Sequence, residues 1–332
     1  MSVVYIKDTV VLIQREGRGS EEYSFSKKDI ITSSLDLKDV ISYTFKLPRT
    51  LSKQELDIQA EIYFYENAGL DLSKKYKTFF LYKELDEDKD NYLVEAISIS
   101  HDELKNIFSL TLQKTKFIDY ISLSFMSFEK FYSIYNKKPQ NDAFVYLDEK
   151  QSFVSVFKNG EYVYAKTLPS LDSLLKNLNI DYDKFVDIIS NKGLNEAEYD
   201  ETERLIYEEI SNFFNEYFTN MHNRFAYGKS VFYIDKIDNI YFYTSFKVNN
   251  LENNISFWDL WGVNFVILPV EQFYLEKLSL KYNVDHLEDK INFTIFPRPP
   301  KIYKRKTFQL FLVLFLSFSV FAGDFAYRYY RN

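Results

Sequence analysis

The sequence predicts an α/β chain made of two related halves, followed by one apolar helix near the C-terminus. Alternating strand-like runs occur twice along the chain, and each time a helix and further strands follow. A stretch from 308 to 323 carries no charge and has only three polar side chains. With 332 residues, of which 46 % are apolar and 19 % aromatic, the chain can bury a large core.

The composition excludes several classes of protein. The chain has no cysteine, so it has no disulfide, no thiolate metal ligand and no cysteine nucleophile. Its three histidines, His101, His222 and His286, lie far apart in sequence, which argues against a zinc site or histidine-centred catalysis. The formal net charge of −7 gives no general attraction to nucleic acid. We therefore expect no metal site and no nucleic-acid partner.

The first half begins with a predicted hairpin. Residues 2–14 alternate and favour β-branched side chains, and a glycine-containing turn follows at 17–19. Ser52 and Glu55 form a capping-box pattern, which predicts that a helix begins there and ends near Gly69. The other elements predicted for this half are strands at 40–46, 77–83 and 91–99 and a helix over 102–116.

The second half begins with another strand-rich block. The segment KNGE at 158–161 is a strong turn signal between two alternating runs. The clearest helix in the chain is predicted over 201–222, where apolar residues recur at spacings of three and four. The other elements predicted here are strands at 143–148, 151–157, 161–168 and 235–245, a helical region at 171–190, and a short helix and strand within 254–268.

The apolar stretch predicts a transmembrane helix over 307–326, since about 20 residues span the hydrocarbon core. The alternative is a buried core helix, which normally keeps a polar face. Basic residues are concentrated just before this stretch, at Arg298, Lys301, Lys304, Arg305 and Lys306, whereas only Arg328 and Arg331 follow it. The positive-inside rule therefore predicts a cytoplasmic N-terminal part and an outer tail. The N-terminus has no signal-peptide pattern, which agrees with that orientation.

The layout resembles the actin-like ATPase superfamily with its ribonuclease H-like fold. Within it, the chain is similar to the PilM protein of type IV pilus assembly and to the cytoplasmic domain of GspL of type II secretion. The segments that carry the resemblance are 51–107, similar to the small inserted subdomain of the PilM group; 142–170, similar to the second-half hairpin; 201–245, similar to a long helix and the strand before the adenosine loop; and 254–269, similar to the helix and strand after that loop.

This resemblance implies a division of the chain into two actin-like halves and a membrane anchor. The expected parts are a first half over 1–140 with an inserted subdomain at about 48–100, a second half over 141–296, a proline-containing basic linker over 297–306, the transmembrane helix over 307–326 and a short tail over 327–332.

Actin-like ATPases hold nucleotide between two hairpin turns and an adenosine loop, where glycines let backbone amides approach the phosphates. This chain has no glycine at the corresponding positions, which are 5–9, 148–150 and 244–247. The residues that remain as degenerate remnants of nucleotide binding are Asp8, Asp148, Thr244 and Ser245. We therefore expect a pseudo-ATPase with no catalytic residue and no cofactor.

A catalytically inactive domain held at a membrane is suited to scaffolding, because tethering raises the local concentration of weak partners. The resemblance implies a partner of the PilN type, a bitopic membrane protein whose cytoplasmic peptide would bind a groove lined by residues of 51–107. It also implies inner-membrane localisation, with a cytoplasmic bulk and a periplasmic tail. The expected setting is an envelope-spanning machine, such as a type IV pilus, a type II secretion or DNA-uptake system, or a flagellar motor with pilus-derived parts.

Two other functions remain open at this point. One is an ATP-binding, actin-like assembly ATPase of the same kind of machine, and the other is a membrane-tethered adaptor with a different fold. Ring assembly would suit such machines, but the sequence does not determine the oligomeric state.

Overall fold

The computed structural model describes residues 2–14, 26, 28–255, 262–299 and 306–331, and the side chains of these except at 253, 254, 306–308 and 328. The strands are β1 (Val3–Lys7), β2 (Val10–Gln14), β3 (Ile30–Leu35), β4 (Ile41–Pro48), β5 (Tyr76–Leu85), β6 (Asp88–Ser100), β7 (Tyr120–Leu123), β8 (Asn141–Leu147), β9 (Ser152–Lys158), β10 (Glu161–Thr167), β11 (Asn239–Thr244) and β12 (Asn264–Ile267). The helices are α1 (Lys53–Asn67), α2 (His101–Ile107), α3 (Ser109–Thr115), α4 (Glu129–Ile134), α5 (Leu171–Leu178), α6 (Tyr182–Asn191), α7 (Arg204–Phe232), α8 (Leu251–Ile255), α9 (Tyr274–Asp285) and α10 (Lys306–Arg331), with short 3-10 turns at Leu37–Asp39, Ser124–Met126 and Glu196–Glu198.

Two sheets follow the same strand plan. The first sheet has the order β2-β1-β3-β7 and the second the order β10-β9-β8-β11-β12. In each sheet an antiparallel hairpin, β1–β2 or β8–β9, is extended by two parallel strands on the side of its first strand. The repeated order confirms two related halves, and it makes the β1–β2 turn the counterpart of the β8–β9 turn.

The first hairpin is tighter than the sequence suggested. Its turn lies at Asp8 and Thr9, where Asp8 adopts a positive φ of 52°. The turn predicted at 17–19 lies outside the described residues and is not the turn of this hairpin. An aspartate tolerates the left-handed region because its short polar side chain costs little there. A two-residue turn therefore forms without glycine.

The inserted subdomain is a three-stranded antiparallel sheet, with order β4-β6-β5, covered on one face by α1. The predicted capping box is present: the Glu55 backbone N–H donates to Ser52 Oγ at 3.4 Å, and the Ser52 N–H donates to Glu55 Oε2 at 2.9 Å. Gly69, with φ of +65°, follows the end of the helix as predicted. The subdomain begins at β4, a few residues before the expected boundary at 48.

Three predicted helices differ from the structure in their limits. The helix predicted over 102–116 is divided into α2 and α3 at Phe108. The region 171–190 is divided into α5 and α6 at Asn179, which takes the left-handed conformation and ends α5. The helix predicted over 201–222 continues as α7 to Phe232, because its C-terminal part packs against β10.

Helix α9, which the sequence did not predict, packs against the first sheet, although its residues fall within the range 141–296 expected for the second half. Tyr274, Leu275 and Leu278 enter a core that also contains residues of β1 and β3. The same core includes Phe144 and Tyr243 of the second sheet, whereas α5, α6 and α7 cover the opposite face of that sheet. The two halves are therefore joined through one continuous apolar layer.

Helix α10 is long and apolar enough to cross a membrane from Gln309 to Arg331, and it is the one such helix in the part of the chain that is described. Its described side chains are exposed, so this helix does not pack into the core of the globule. The predicted span over 307–326 falls within this helix.

Two glycines with the same backbone conformation provide a matched test of the packing. An added Cβ at Gly193 would lie 2.0 Å from the backbone oxygen of Asn249, whereas at Gly69 it would meet nothing within 4 Å. We expect Gly193→Ala to lower the free energy of unfolding by at least about 3 kcal/mol. Gly69→Ala should cost only about 1 kcal/mol, from the left-handed backbone alone. Urea unfolding of the full chain in detergent, followed by circular dichroism, measures both, and equal losses would contradict the predicted clash.

Candidate functional site

The hairpin turns of the two halves face each other. Lys150 of the β8–β9 turn places its Nζ 3.7 Å from Oδ2 of Asp8 in the β1–β2 turn. Lys38 Nζ also donates to the backbone oxygen of Lys150 at 2.9 Å. These side chains are exposed, so each contact contributes little to stability. They nevertheless bring together the turns that carry the remnants Asp8 and Asp148, and we call the region between and beneath these two turns the cleft.

A buried ion pair lies beneath these turns. The ammonium group of Lys7, at the end of β1, donates a hydrogen bond to Oδ1 of Asp36, which is the residue after β3. The same Asp36 oxygen accepts hydrogen bonds from Gln151 Nε2 at 3.0 Å and from Ser124 Oγ at 3.2 Å. Because Gln151 belongs to the second half, Asp36 connects the two halves directly. We refer to Lys7, Asp36 and Gln151 as the central ion-pair cluster.

Ionisation of this pair is stabilised within the fold. Burial by itself opposes charge on Asp36, but the ammonium of Lys7 and its hydrogen bond outweigh that effect and hold the pKa of Asp36 below its ordinary value. Burial likewise opposes charge on Lys7, and the carboxylate of Asp36 raises the pKa of Lys7 above its ordinary value. The pair is therefore charged at neutral pH.

Two other carboxyl groups of the cleft are shifted in the opposite direction. Burial raises the pKa of Glu276 on α9, and the carboxylates of Asp36 and Asp148 add to that increase. Burial also raises the pKa of Asp148. Glu276 and Asp148 therefore take up a proton more readily than exposed carboxyl groups do, whereas Asp36 keeps its charge.

The backbone amides of the β8–β9 turn are hydrogen bonded to a side chain of the same turn. The backbone N–H groups of Lys150 and Gln151 both donate to Asp148 Oδ1 at 2.7 Å. In a phosphate-binding turn such amides point at the ligand instead. Asp148 therefore occupies donors that a phosphate would require.

The segment at the end of β11 is also bonded internally. Thr244 Oγ1 donates to the backbone oxygen of Phe246, and Ser245 Oγ lies 3.0 Å from the hydroxyl of Tyr182. The Phe246 ring is buried against Phe185, with ring centroids 5.4 Å apart. Where the resemblance places an adenosine loop, the chain has an aromatic side chain in the core of the second half.

The sequence identified Asp8, Asp148, Thr244 and Ser245 but missed the residues that connect them. The most important of these is Asp36, which follows the buried strand β3 and caps the turn Leu37–Asp39. The spacing of Asp36 and Asp39 is a capping signal in the sequence, but it does not reveal that Lys7 and Gln151 lie beside it. Glu276 was missed because its helix was not predicted.

A second candidate site lies at the opposite end of β9. A cavity of about 850 Å³ opens between β5, the α4 region and the Asn159–Gly160 turn of the second half. A neighbouring cavity of about 310 Å³ shares Lys83, Asn159, Glu161 and Tyr162 with it. We call the two together the hairpin groove. It is the largest opening among the cavities described, and residues 80–87 of the inserted subdomain form one wall.

A polar cluster forms the base of this groove. Glu95 of β6 is 1 % exposed and accepts hydrogen bonds from Lys83 Nζ at 2.8 Å and from the Tyr162 hydroxyl at 3.1 Å. Lys83 Nζ also donates to the backbone oxygen of Val163. Burial lowers the pKa of Lys83 even though Glu95 opposes that shift. The cluster fixes the inserted subdomain against the second half and so sets the width of the groove.

Two carboxyl groups of the cleft should respond to neutralisation in opposite ways. Asp36→Asn leaves Lys7 buried without a counter-ion, and we expect it to lower the free energy of unfolding at pH 7 by about 3–5 kcal/mol. Glu276→Gln removes a charge that burial disfavours, so it should raise the free energy of unfolding at pH 7. Urea unfolding of the full chain in detergent measures both changes.

The pH dependence follows from the direction of each pKa shift. The stability that Asp36 contributes is fully present above its ordinary value of 3.8 and is lost as the pH falls through its lower folded value, so the deficit of Asp36→Asn should shrink in acid. The pKa of Glu276 lies above its ordinary 4.5 in the fold, so the gain from Glu276→Gln should vanish as the pH falls below 4.5. If both substitutions change the free energy of unfolding at pH 7 in the same direction, the opposite pKa shifts of Asp36 and Glu276 are contradicted.

Comparisons with known proteins agree with the strand plan. No protein-family profile and no curated protein sequence matches the chain. A chain of the PilM–PilN type IV pilus biogenesis complex is similar with a TM-score of 0.52 and 12 % identity, covering 79 % of each chain. The cytoplasmic domain of EpsL, an inner membrane component of the type II secretion system of Vibrio cholerae, has a TM-score of 0.43 and 8 % identity, covering 88 % of this chain and 96 % of that one. The first likeness, together with the duplicated sheets, shows that the chain has the actin-like fold of PilM-type proteins.

Proposed function

We propose that this chain is a membrane-anchored scaffold of an envelope-spanning machine of the pilus or type II secretion kind. In this role it binds the cytoplasmic segment of a single-pass membrane protein in the hairpin groove and does not hydrolyse nucleotide. The fold likeness to a chain of the PilM–PilN complex supports the class of machine and the PilN-like partner. Helix α10 supports a single-pass anchor in the inner membrane, and the positive-inside rule supports a cytoplasmic globule.

The observation that carries the proposal is the position of the hairpin groove. Asp285 lines the groove at the end of α9, and the chain continues from there toward α10. Phe79, next to the groove residue Phe80, packs on Phe293 with ring centroids 4.8 Å apart. The groove therefore opens beside the segment that leads to the membrane helix, where the cytoplasmic segment of another membrane protein can reach it.

The charge of the groove favours a cationic partner. Its lining has six carboxylates and three ammonium groups, namely Glu84, Asp86, Glu87, Glu129, Glu161 and Asp285 against Lys83, Lys130 and Lys158. Lys83 is bonded to Glu95, Lys130 is paired with Glu129 at 2.8 Å and with Asp285 at 3.2 Å, and Glu84 is paired with Arg49 at 3.3 Å. The acidic character of the groove therefore comes mainly from Asp86, Glu87 and Glu161. Cytoplasmic segments next to transmembrane helices are rich in lysine and arginine. Such a segment complements this surface.

Strand β5 offers a backbone template for that segment. It is ten residues long and lies at the edge of the subdomain sheet, with β6 as its strand neighbour. Residues 80–83 of β5 line the groove. An extended peptide can hydrogen bond to such an edge while its side chains enter adjoining pockets. Leu81 and Lys83 lie on the face of β5 opposite to α1, whereas Phe80 and Tyr82 pack on the α1 side.

The absence of nucleotide hydrolysis is proposed from the cleft. Asp148 holds the amides of its own turn, and Phe246 fills the core where the resemblance places the adenosine loop. The central ion-pair cluster satisfies Asp36 from both halves. In these contacts, other residues of the chain bind the groups of the cleft that would otherwise bind phosphate or a metal ion.

We expect the full chain in detergent to bind no ATP in the presence of magnesium. Isothermal titration calorimetry up to millimolar nucleotide measures this, with an active actin-like ATPase titrated in parallel as the positive control. The physical reason is that phosphate binding would require donors already bonded to Asp148. Binding in the micromolar range would favour the alternative, an actin-like assembly ATPase.

A photo-reactive residue in the groove should identify the partner. Ser133 is exposed on the groove wall, and we expect Ser133→benzoylphenylalanine in the intact cell to crosslink to a cationic cytoplasmic segment of a single-pass membrane protein. The matched position is Leu205→benzoylphenylalanine, at an exposed site on α7. Mass spectrometry of the adducts identifies the crosslinked segment.

The charge of the groove can be tested in the same experiment. Glu161→Lys, in the groove, should lower the crosslinking yield roughly tenfold, because it repels a cationic segment. Glu149→Lys, in the β8–β9 turn at the other end of β9, should leave the yield unchanged. Adducts with a soluble protein, or equal yields from positions 133 and 205, would count against the proposed partner.

A further inference from the structure

The segment between α9 and α10 is bound to the first half. The backbone N–H of Phe293 donates to the oxygen of Ile121 at 3.0 Å, and the N–H of Ile118 donates to the oxygen of Phe296 at 3.0 Å. Asn292 adds side-chain hydrogen bonds to the same stretch, and the Phe293 side chain is fully buried. Residues 292–296 therefore form part of the globule rather than a free linker.

Arg298 fixes the end of this segment. Its guanidinium donates to both carboxylate oxygens of Asp119, at 3.0 and 2.7 Å, and to the backbone oxygen of Asp29 at 2.5 Å. The guanidinium also lies 4.3 Å from the ring centroid of Phe117. A two-pronged pair of this kind fixes orientation as well as position. The chain therefore leaves the globule at a defined point.

The distance from that point to the membrane helix is short. Seven residues, 299–305, separate Arg298 from the start of α10 at Lys306. Even fully extended, they span at most about 25 Å. The surface around Arg298 is thus held close to the bilayer whenever α10 is inserted.

That surface is basic and carries an exposed leucine. Leu110 on α3 is 51 % exposed, and Lys114 lies one turn further along the same face of the helix. Lys116 is exposed at the end of α3, immediately before Phe117, and Lys28 lines a cavity of about 350 Å³ together with Arg298. We call Lys28, Leu110, Lys114 and Lys116 the membrane-proximal face.

The positive charge of this face comes from its own three lysines, and the groups around it offset only part of that charge. Asp119 is paired with Arg298, while Lys290 partly offsets the exposed carboxylates Glu288 and Asp289. The connecting residues add Lys301, Lys304 and Arg305. The inner leaflet of a membrane is negatively charged, and each lysine near its surface contributes a favourable interaction. The bilayer into which α10 inserts is the anionic surface nearest to this face.

We propose that the membrane-proximal face docks on anionic lipid headgroups, so that the globule sits on the bilayer in one orientation instead of moving freely on its tether. The inference rests on the proposed membrane anchoring and goes beyond it. Docking fixes the height of the hairpin groove above the membrane, since Asp285 in the groove is two residues from Leu287 in the cavity beside Arg298. At that height, a short cytoplasmic segment of a neighbouring membrane protein reaches the groove, and no part of the globule has to unfold.

The full chain, which contains no cysteine, allows a direct test. Leu110→Cys and the control Leu205→Cys, at 51 % and 73 % exposed positions, are each labelled with bimane and reconstituted into nanodiscs that contain lipid with a headgroup-level spin-label quencher. The discs are made of phosphatidylcholine alone or mixed with phosphatidylglycerol. We expect quenching at position 110 to exceed that at 205 at least about threefold in the anionic discs, and the difference to disappear in the zwitterionic discs.

Charge reversal provides the matched variants. Lys114→Glu together with Lys116→Glu should abolish the excess quenching at position 110, because each lysine contributes about fivefold to the docking equilibrium. Lys176→Glu together with Lys184→Glu, at exposed positions on α5 and α6, makes the same change of charge and should leave the quenching intact. If both pairs abolish the quenching equally, the effect reflects net charge and the proposed face is overturned.

The remaining outcomes separate this inference from the proposed anchoring. A chain retained in the discs with equal quenching at positions 110 and 205, or with quenching at 110 that is independent of anionic lipid, overturns the docking face alone. A chain that does not co-purify with the discs overturns both the anchoring and the docking.

Discussion

The buried pair of Lys7 and Asp36 is the interaction on which the arrangement of the two halves depends. Removing two charges from water is unfavourable, and the pair is retained only because Gln151 and Ser124 complete the hydrogen bonding of Asp36. Gln151 comes from the second half, so separating the halves would leave a buried carboxylate with fewer partners. The cleft is consequently held by protein contacts near the two turns where the resemblance to actin-like ATPases would place a nucleotide.

The same principle operates at the other end of the second hairpin. Glu95 of the inserted subdomain is hydrogen bonded to Lys83 and to Tyr162 of the second half. These bonds hold the subdomain against the second half. Apolar packing reinforces both contacts, because one continuous layer of side chains joins β1, β3 and α9 to the second sheet. The elements that border the groove are therefore held in place by these contacts, and a preformed site loses little entropy when a partner binds.

Local patterns predicted the elements whose information lies close together in sequence. The turn at Asn159 and Gly160 follows from a dipeptide that favours positive φ, and the start of α1 follows from Ser52 and Glu55. Strand β3 was missed because its centre is polar: Thr32 and Ser33 are buried, with hydroxyls bonded to the backbone oxygens of Val4 and Ile6. Helix α9 was missed for a similar reason, since it buries Ser279 and Asn283 among its apolar residues.

The sequence by itself determined the two-part α/β plan, the apolar helix at the C-terminus and the lack of glycine in the turns that would meet phosphate, because periodicity and residue type are local properties. Only the tertiary structure decided that Asp36 joins Lys7 to Gln151, that α9 returns to the first sheet, and that Arg298 binds Asp119 179 positions away. Each of these contacts joins residues far apart along the chain. Their partners are set by how the sheets stack, which no local pattern records.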